Sequence, residues 1–307
     1  MSATLIARGL ARGLHVAASF AVFGSLLCHA WFAPAALAHV APETARRVGR
    51  LVTACIRLSL VAAAVTGAVW LLLEAVYITG GGRLTDGLAV LAPILHETNF
   101  GHLLLTRMAL LLVAVMLFDD GSRRRGTATA AIIAGVAVVL EAGLGHGPAM
   151  GGGEGVIMSV SLVLHLLASG AWLGTLIPLL ILIDALPPAD ARDLASRFST
   201  LGTICVLVLA TTAAIQGWDL VGGIAALFGT PYGRVAFAKL LLFITLLAFA
   251  AANRFRFTPT LIGSGARRAA TGLRWSILAE TLIGLFVVVL AGILANLPPN
   301  MIMRTGP

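Results

Sequence analysis

Apolar residues in this chain fall into long uninterrupted blocks, bounded by short stretches that hold most of the arginines, prolines and glycines. A block of about 20 residues is what an α-helix needs to cross the hydrocarbon of a bilayer. Helix is required there because lipid offers no partner to a backbone N–H or C=O group. Such blocks lie at roughly 12–38, 53–78, 102–118, 127–145, 156–183, 200–218, 234–252 and 273–296. The pattern predicts an all-α integral membrane protein of about eight transmembrane helices. No stretch is left over for a sizeable soluble domain.

Composition agrees: hydrophobic residues make up 59%, charged residues 11%, and mean hydropathy is +0.99. Soluble domains carry about a quarter charged residues. The formal charge of +8 would suggest nucleic acid in a soluble protein, but here the arginines sit in short loops, where they set topology. No nucleic-acid signal accompanies them.

Arg46, Arg47 and Arg50 follow the first block, Arg123 to Arg125 the third, Arg192 and Arg197 the fifth, and Arg254, Arg256, Arg267, Arg268 and Arg274 the seventh. The alternate loops hold Arg83 and Arg234. The positive-inside rule therefore puts the Arg-rich loops in the cytoplasm and both termini outside, with the loops of His96, His102 and His146. Arg8 and Arg12 near the N-terminus count against this and are outnumbered. The same region imitates a signal peptide, with "APAALA" ahead of His39 as an A-x-A-like site. A repeat ties the first helix to the body of the protein, so it is expected to stay. Cys28, Cys55 and Cys205 lie in or beside helices and offer no disulfide framework.

The repeat emerges when "LHVAASFAVFGSLL" from Leu14 is laid over "LHLLASGAWLGTLI" from Leu164. "TNFGHLLLTRMALLL" from Thr98 likewise parallels "TPYGRVAFAKLLLFI" from Thr230, equating Arg107 with Lys239. A weaker echo pairs "VVLEAGLGHGP" with "VVLAGILANLPP" and sets Gly67 near Gly217. The expectation is two parallel four-helix halves, residues 1–150 and 151–307, related by an axis along the membrane normal. His15 and His165 are equivalent in this register. They are expected to face each other across the axis if helices one and five pack centrally, with small residues such as Gly24 and Gly174 allowing close approach.

Imidazole and thioether suit copper, and thioether in particular suits Cu(I). Outward candidates are His146 and Met150 in the Gly-rich loop, Met158 at the start of helix five, His96 and His102 around "ETNFG", and Met301 and Met303 in the tail. His165 lies roughly nine residues into helix five, about 14 Å below that mouth. Toward the cytoplasm, His29, Cys28, Cys55 and Cys205 offer an exit site. Charged residues inside helices mark function or pairing. Arg107 is expected to pair with Glu141 or Glu74 in a polar vestibule, and Lys239 takes the place of Arg107 in the second half. Glu280 stands nearer the cytoplasm, either paired with Arg274 or carrying protons.

These segments resemble the copper resistance protein D (CopD) family of bacterial inner membranes, through "LHLLASGAWLGTLIPL", "TPYGRVAFAKLLLFITLLAFAAANRF" and "AETLIGLFVVVLAGILANLPP". The resemblance covers the second half well and the first half through "FGHLLLTRMALLL". It implies copper, as Cu(I) or Cu(II), moved across the inner membrane, with a separate periplasmic CopC-type protein as partner. The leading expectation is an importer with no enzymatic activity, holding copper between His15 and His165. Two other classes fit the same residues: a b-type haem electron carrier, and a copper-sensing membrane protein that does not transport.

Overall fold

The computed structural model describes residues 3–80, 83–118, 124–145 and 152–297. His146, Met150, Met301 and Met303 lie outside the described residues. Eight helices are long and apolar enough to span a bilayer: α1 Ala3–Trp31, α2 Pro42–Ile78, α3 Asn99–Leu117, α4 Gly126–Leu144, α5 Gly152–Ala185, α6 Pro188–Val221, α7 Pro231–Phe257 and α8 Ala266–Leu294. No strand occurs among the described residues. Several helices outrun their apolar blocks. α1 begins at Ala3, α2 at Pro42 and α6 at Pro188, because long polar side chains at helix ends keep their heads in water while the backbone continues its hydrogen-bond ladder. Proline opens α2, α6 and α7, where its missing N–H costs nothing.

α1 and α5 form the centre of the bundle. Two-thirds of each apolar window is buried within the protein (67% for both), against 6% for α7, whose surface is left to lipid. α1 packs on α2, α4, α5 and α8, so it contacts both halves of the chain. Its crossing with α5 is set by Gly24 and Gly174: a Cβ on either would overlap the other helix's backbone. α5 is interrupted just there, between segments Gly152–Leu173 and Leu176–Ala185. Pro178 explains the interruption, since its ring clashes with the carbonyl four residues back, that of Gly174. The Thr175 hydroxyl donates to the Gly24 carbonyl at 3.1 Å and pins the two helices at the break.

The turns into α3 and α7 share one geometry. A short helix, Leu91–Glu97 or Ile224–Gly229, precedes each. Thr98 then caps α3 by accepting from Gly101 N–H at 3.0 Å, and Thr230 caps α7 by accepting from Gly233 N–H at 3.0 Å. Each threonine also donates back to its short helix, at Ile94 (2.6 Å) and Ala226 (2.8 Å).

Candidate functional site

Two cavities lie one above the other along α5, the first bounded by helices from both halves of the chain and the second by helices of the second half alone. The first, about 190 Å³, lies among α1, α4, α5, α6, α7 and α8, and its polar lining is Arg12, Glu141, His165, Ser169, Gln216, Tyr232 and Lys239. The second, about 370 Å³, is bounded by α5, α6, α7 and α8 at the Arg-rich end and holds Glu280, Asn253, Ser199 and Thr203. Along α5, His165, Ser169 and Leu173 line the first cavity, and Trp172, Leu176 and Leu179 the second. Leu173 lies against Gly284 of α8, where a Cβ would come within 2.6 Å of Leu173 Cδ2. Adjacent residues Trp172 and Leu173 thus border different spaces, and the two cavities approach each other at this level of α5.

The state of His165 follows from its neighbour. The Thr212 hydroxyl donates its single proton within α6, to Val208 C=O at 2.7 Å and more weakly to Leu209 C=O at 3.2 Å. It is therefore the acceptor in its 2.8 Å contact with His165 Nδ1. Nδ1 carries the proton, and Nε2 presents a bare lone pair on a ring that lines the first cavity. Such a fixed tautomer is what a hydroxyl or carbonyl behind a metal-ligating imidazole provides. Met158 lines the same cavity seven residues earlier, about 10 Å up the helix, and packs with Leu220 and Tyr232.

His15 is placed differently. Its Nδ1 donates to the Ala63 carbonyl of α2 at 2.9 Å, and its Nε2 is buried without a hydrogen-bond partner. Trp70 stands 5.8 Å from it, ring to ring, and Phe100 closes behind Trp70 at 4.9 Å. Each histidine is thus held by the helix that follows it in its own half. The expectation that the two rings face each other in one site is replaced by two separate environments, one closed and one open. His15 does not line the cavity that His165 lines, so that cavity does not offer the pair of axial imidazoles a bis-His haem requires.

The charged residues form a network beside the first cavity. Arg107 and Glu141 are ion-paired and buried, and Arg107 also donates to Ala137 C=O at 3.0 Å. Arg12 joins the same carboxylate, Nε to Oε1 at 2.8 Å, and reaches Leu144 C=O at 3.2 Å. Glu74 is not a partner of Arg107; it receives Arg8 in a bidentate pair at 2.7 and 3.0 Å. Arg8 and Arg12 are therefore intramembrane partners of carboxylates, not tail charges that oppose the topology. Their signal was present: Arg8, Arg12, His15 and Ser19 recur at helical spacing on one face of α1. In the second half Lys239 lines the cavity with no carboxylate among the described residues to meet it.

Glu280 is 1% exposed, and it accepts from Asn253 Nδ2. Arg274 instead pairs with exposed Asp184 near the bundle's end. Asn253 begins a wide π-type turn, Asn253–Phe257, which closes α7 beside the second cavity and is a feature common at functional sites. Cys28 and Cys205 are buried, Cys55 touches the Ser25 hydroxyl at 3.8 Å, and His29 stacks edge-on with Phe118 at 5.0 Å. No group of three His, Cys, Asp or Glu side chains that could hold a metal occurs among the described residues. His102 uses Nε2 to bond His96 C=O at 2.8 Å, in the place where Arg234 bonds Phe228 C=O at 3.0 Å before α7. Sequence marked Tyr232 only as the repeat equivalent of Phe100 and did not single out Thr212, Gln216 or Asn253, whose roles depend on which way each helix is turned.

Comparison with known proteins identifies the lineage. The family described as "Copper resistance protein D-like, N-terminal domain" matches residues 1–156, and that described as "Copper resistance protein D" matches residues 192–294. The chain is 28% identical over 302 residues to "Inner membrane protein YebZ" of Escherichia coli (strain K12), covering 94% of this chain and 97% of that one. It is 25% identical over 244 residues to "Copper resistance protein D" of Pseudomonas syringae pv. tomato, covering 75% and 79%. It is also 27% identical over 139 residues to "Copper transport protein CutJ" of Bacillus subtilis (strain 168), covering 44% and 24%. No solved structure matches. The His165 cavity lies partly, and the Glu280 cavity mostly, within helices matched by the second description, and the Arg12–Glu141–Arg107 network lies within the first: the chain belongs to the copper resistance protein D family, as a multi-pass protein of the bacterial inner membrane with a copper-related function.

Proposed function

We propose that this protein imports copper through the second half of its bundle. The cavity beside His165 faces the periplasm as the loading site, and the cavity beside Glu280 faces the cytoplasm as the release site. The observation that carries the reading is the bare Nε2 of His165 on a cavity wall, fixed by Thr212, with a second cavity bordered by the next turn of α5. Imidazole with thioether nearby suits copper, and Met158 is an earlier stop on the same helix. His146 and Met150, which precede α5 in the sequence, act as capture ligands in this reading. A CopC-type periplasmic protein delivers the ion to them.

The arginine distribution supports this orientation, and the N-terminal exceptions Arg8 and Arg12 are accounted for by their pairing, which leaves only Arg83 and Arg234 in the alternate loops. The matching capped junctions before α3 and α7, with the Gly24–Gly174 contact between equivalent residues, support two four-helix halves around a pseudo-axis. The first half then serves as the closed scaffold, with Trp70 filling the space that Leu220 leaves open in the second.

Copper uptake into proteoliposomes of known orientation tests the proposal, with Cu(I), Cu(II) and Zn(II) compared. Wild-type protein accumulates copper and His165→Ala does not. Equal accumulation by both, with His165→Ala folded, rejects the site; no accumulation by either favours a sensor that binds copper outside without moving it.

A further inference from the structure

The charges around the first cavity do not balance. Arg8 and Glu74 cancel. Arg12 and Arg107 share the one carboxylate of Glu141, which leaves one positive charge. Lys239 adds another, because no described carboxylate or hydrogen-bond acceptor meets its ammonium. The remaining polar groups of the wall, Gln216, Tyr232 and Ser169, are neutral. An unmatched ammonium in a membrane interior is costly: it gives up its proton, or it is met by a partner or by an ion from solution. Gln216 Nε2 already donates to Ser161, and Arg12 of α1 lines the same cavity as Lys239 of α7.

We propose that this cavity binds a small monovalent anion, a halide or a halide complex of Cu(I), between Lys239 and Arg12. The cavity volume, about 190 Å³, has room for such an ion with a few waters, a water occupying about 30 Å³ of liquid. The same charge count bears on the cargo. A bare copper cation on His165 would share one cavity with the Lys239 ammonium, and in a medium of low dielectric that repulsion is strong. An anion arriving with copper, or already resident, removes it. This second part rests on the copper reading of His165; anion binding itself does not.

The test titrates chloride, bromide and iodide against purified full-length protein in nanodiscs, in a gluconate background at fixed ionic strength with a copper chelator present. The thermal unfolding midpoint is followed, and bromide or iodide is located by anomalous scattering in crystals. Wild type is expected to show a saturable rise in midpoint. In Lys239→Met the half-saturating halide concentration increases by about tenfold or more, and Lys239→Arg restores it. No halide-dependent rise in wild type, or an undiminished one in a folded Lys239→Met, overturns the proposal. A parallel arm with Cu(I) separates the two sources: affinity for copper that increases with halide in wild type and not in Lys239→Met identifies the complex, whereas independent binding identifies the free anion. Halide binding that persists while His165→Ala transports normally leaves the anion site standing and removes only the copper reading.

Discussion

The hydroxyl of Thr212 accepts the Nδ1–H of His165 at 2.8 Å and turns the unprotonated Nε2 toward the cavity between the halves. Apart from His165, the Thr212 hydroxyl bonds only its own helix, to which its proton is committed, while its backbone carbonyl accepts from the Ser161 hydroxyl at 3.3 Å. Its role toward the imidazole is positional. Thr212→Val is expected to weaken copper affinity about 10–100-fold without unfolding the protein, and Thr212→Ser to restore it. Competition with a calibrated Cu(I) chelator reads the difference. An affinity equal to wild type in Thr212→Val would mean that the tautomer is unimportant.

Glu141 holds two guanidiniums at once, and removing it leaves both buried without a counter-charge. Glu141→Ala should destabilise the protein by about 3–5 kcal/mol. Replacing Arg107 with Met in the same chain should recover part of that loss, because one of the stranded charges goes with it. Unfolding midpoints in a single detergent compare the three proteins.

The crossing of α1 and α5 tolerates no side chain. Gly24→Leu and Gly174→Leu are each expected to abolish the monodisperse folded peak in size-exclusion chromatography, since backbone itself occupies the space. Gly49→Ala provides the control: nothing lies within 4 Å of a Cβ there, and its yield should match wild type.

Glu280 faces the lower cavity with one hydrogen-bond donor and no ion-pair partner among the described residues, and Arg254 lines the same cavity. If it carries protons in exchange for copper, Glu280→Gln uncouples uptake from an imposed pH gradient while binding at His165 persists. Uptake that responds to the gradient equally in wild type and Glu280→Gln assigns it to packing alone.

Orientation is tested by labelling. With Cys28, Cys55 and Cys205 replaced by alanine, Glu154→Cys at the exposed start of α5 should react with an impermeant maleimide in spheroplasts. Asp193→Cys, exposed near the start of α6, should react only after permeabilisation. The reverse pattern inverts the proposed direction of transport.

The blocks read from sequence coincide with the eight long helices, because block length and apolarity are local properties and a bilayer permits only one backbone solution for them. The central positions of α1 and α5 were legible too, in their small residues. The partner of Arg107 was narrowed to two carboxylates by depth alone, and the fold chose Glu141 because α3 lies beside α4. What sequence left undecided was rotation. Whether His15 and His165 meet or part depends on how each helix is turned about its axis, and that is fixed by contacts between residues far apart in the chain: Gly24 on Gly174, His15 on Ala63, His165 on Thr212. Repeated sequence made the two histidines equivalent. Tertiary packing made them different, by filling one half with Trp70 and leaving the other open around Lys239.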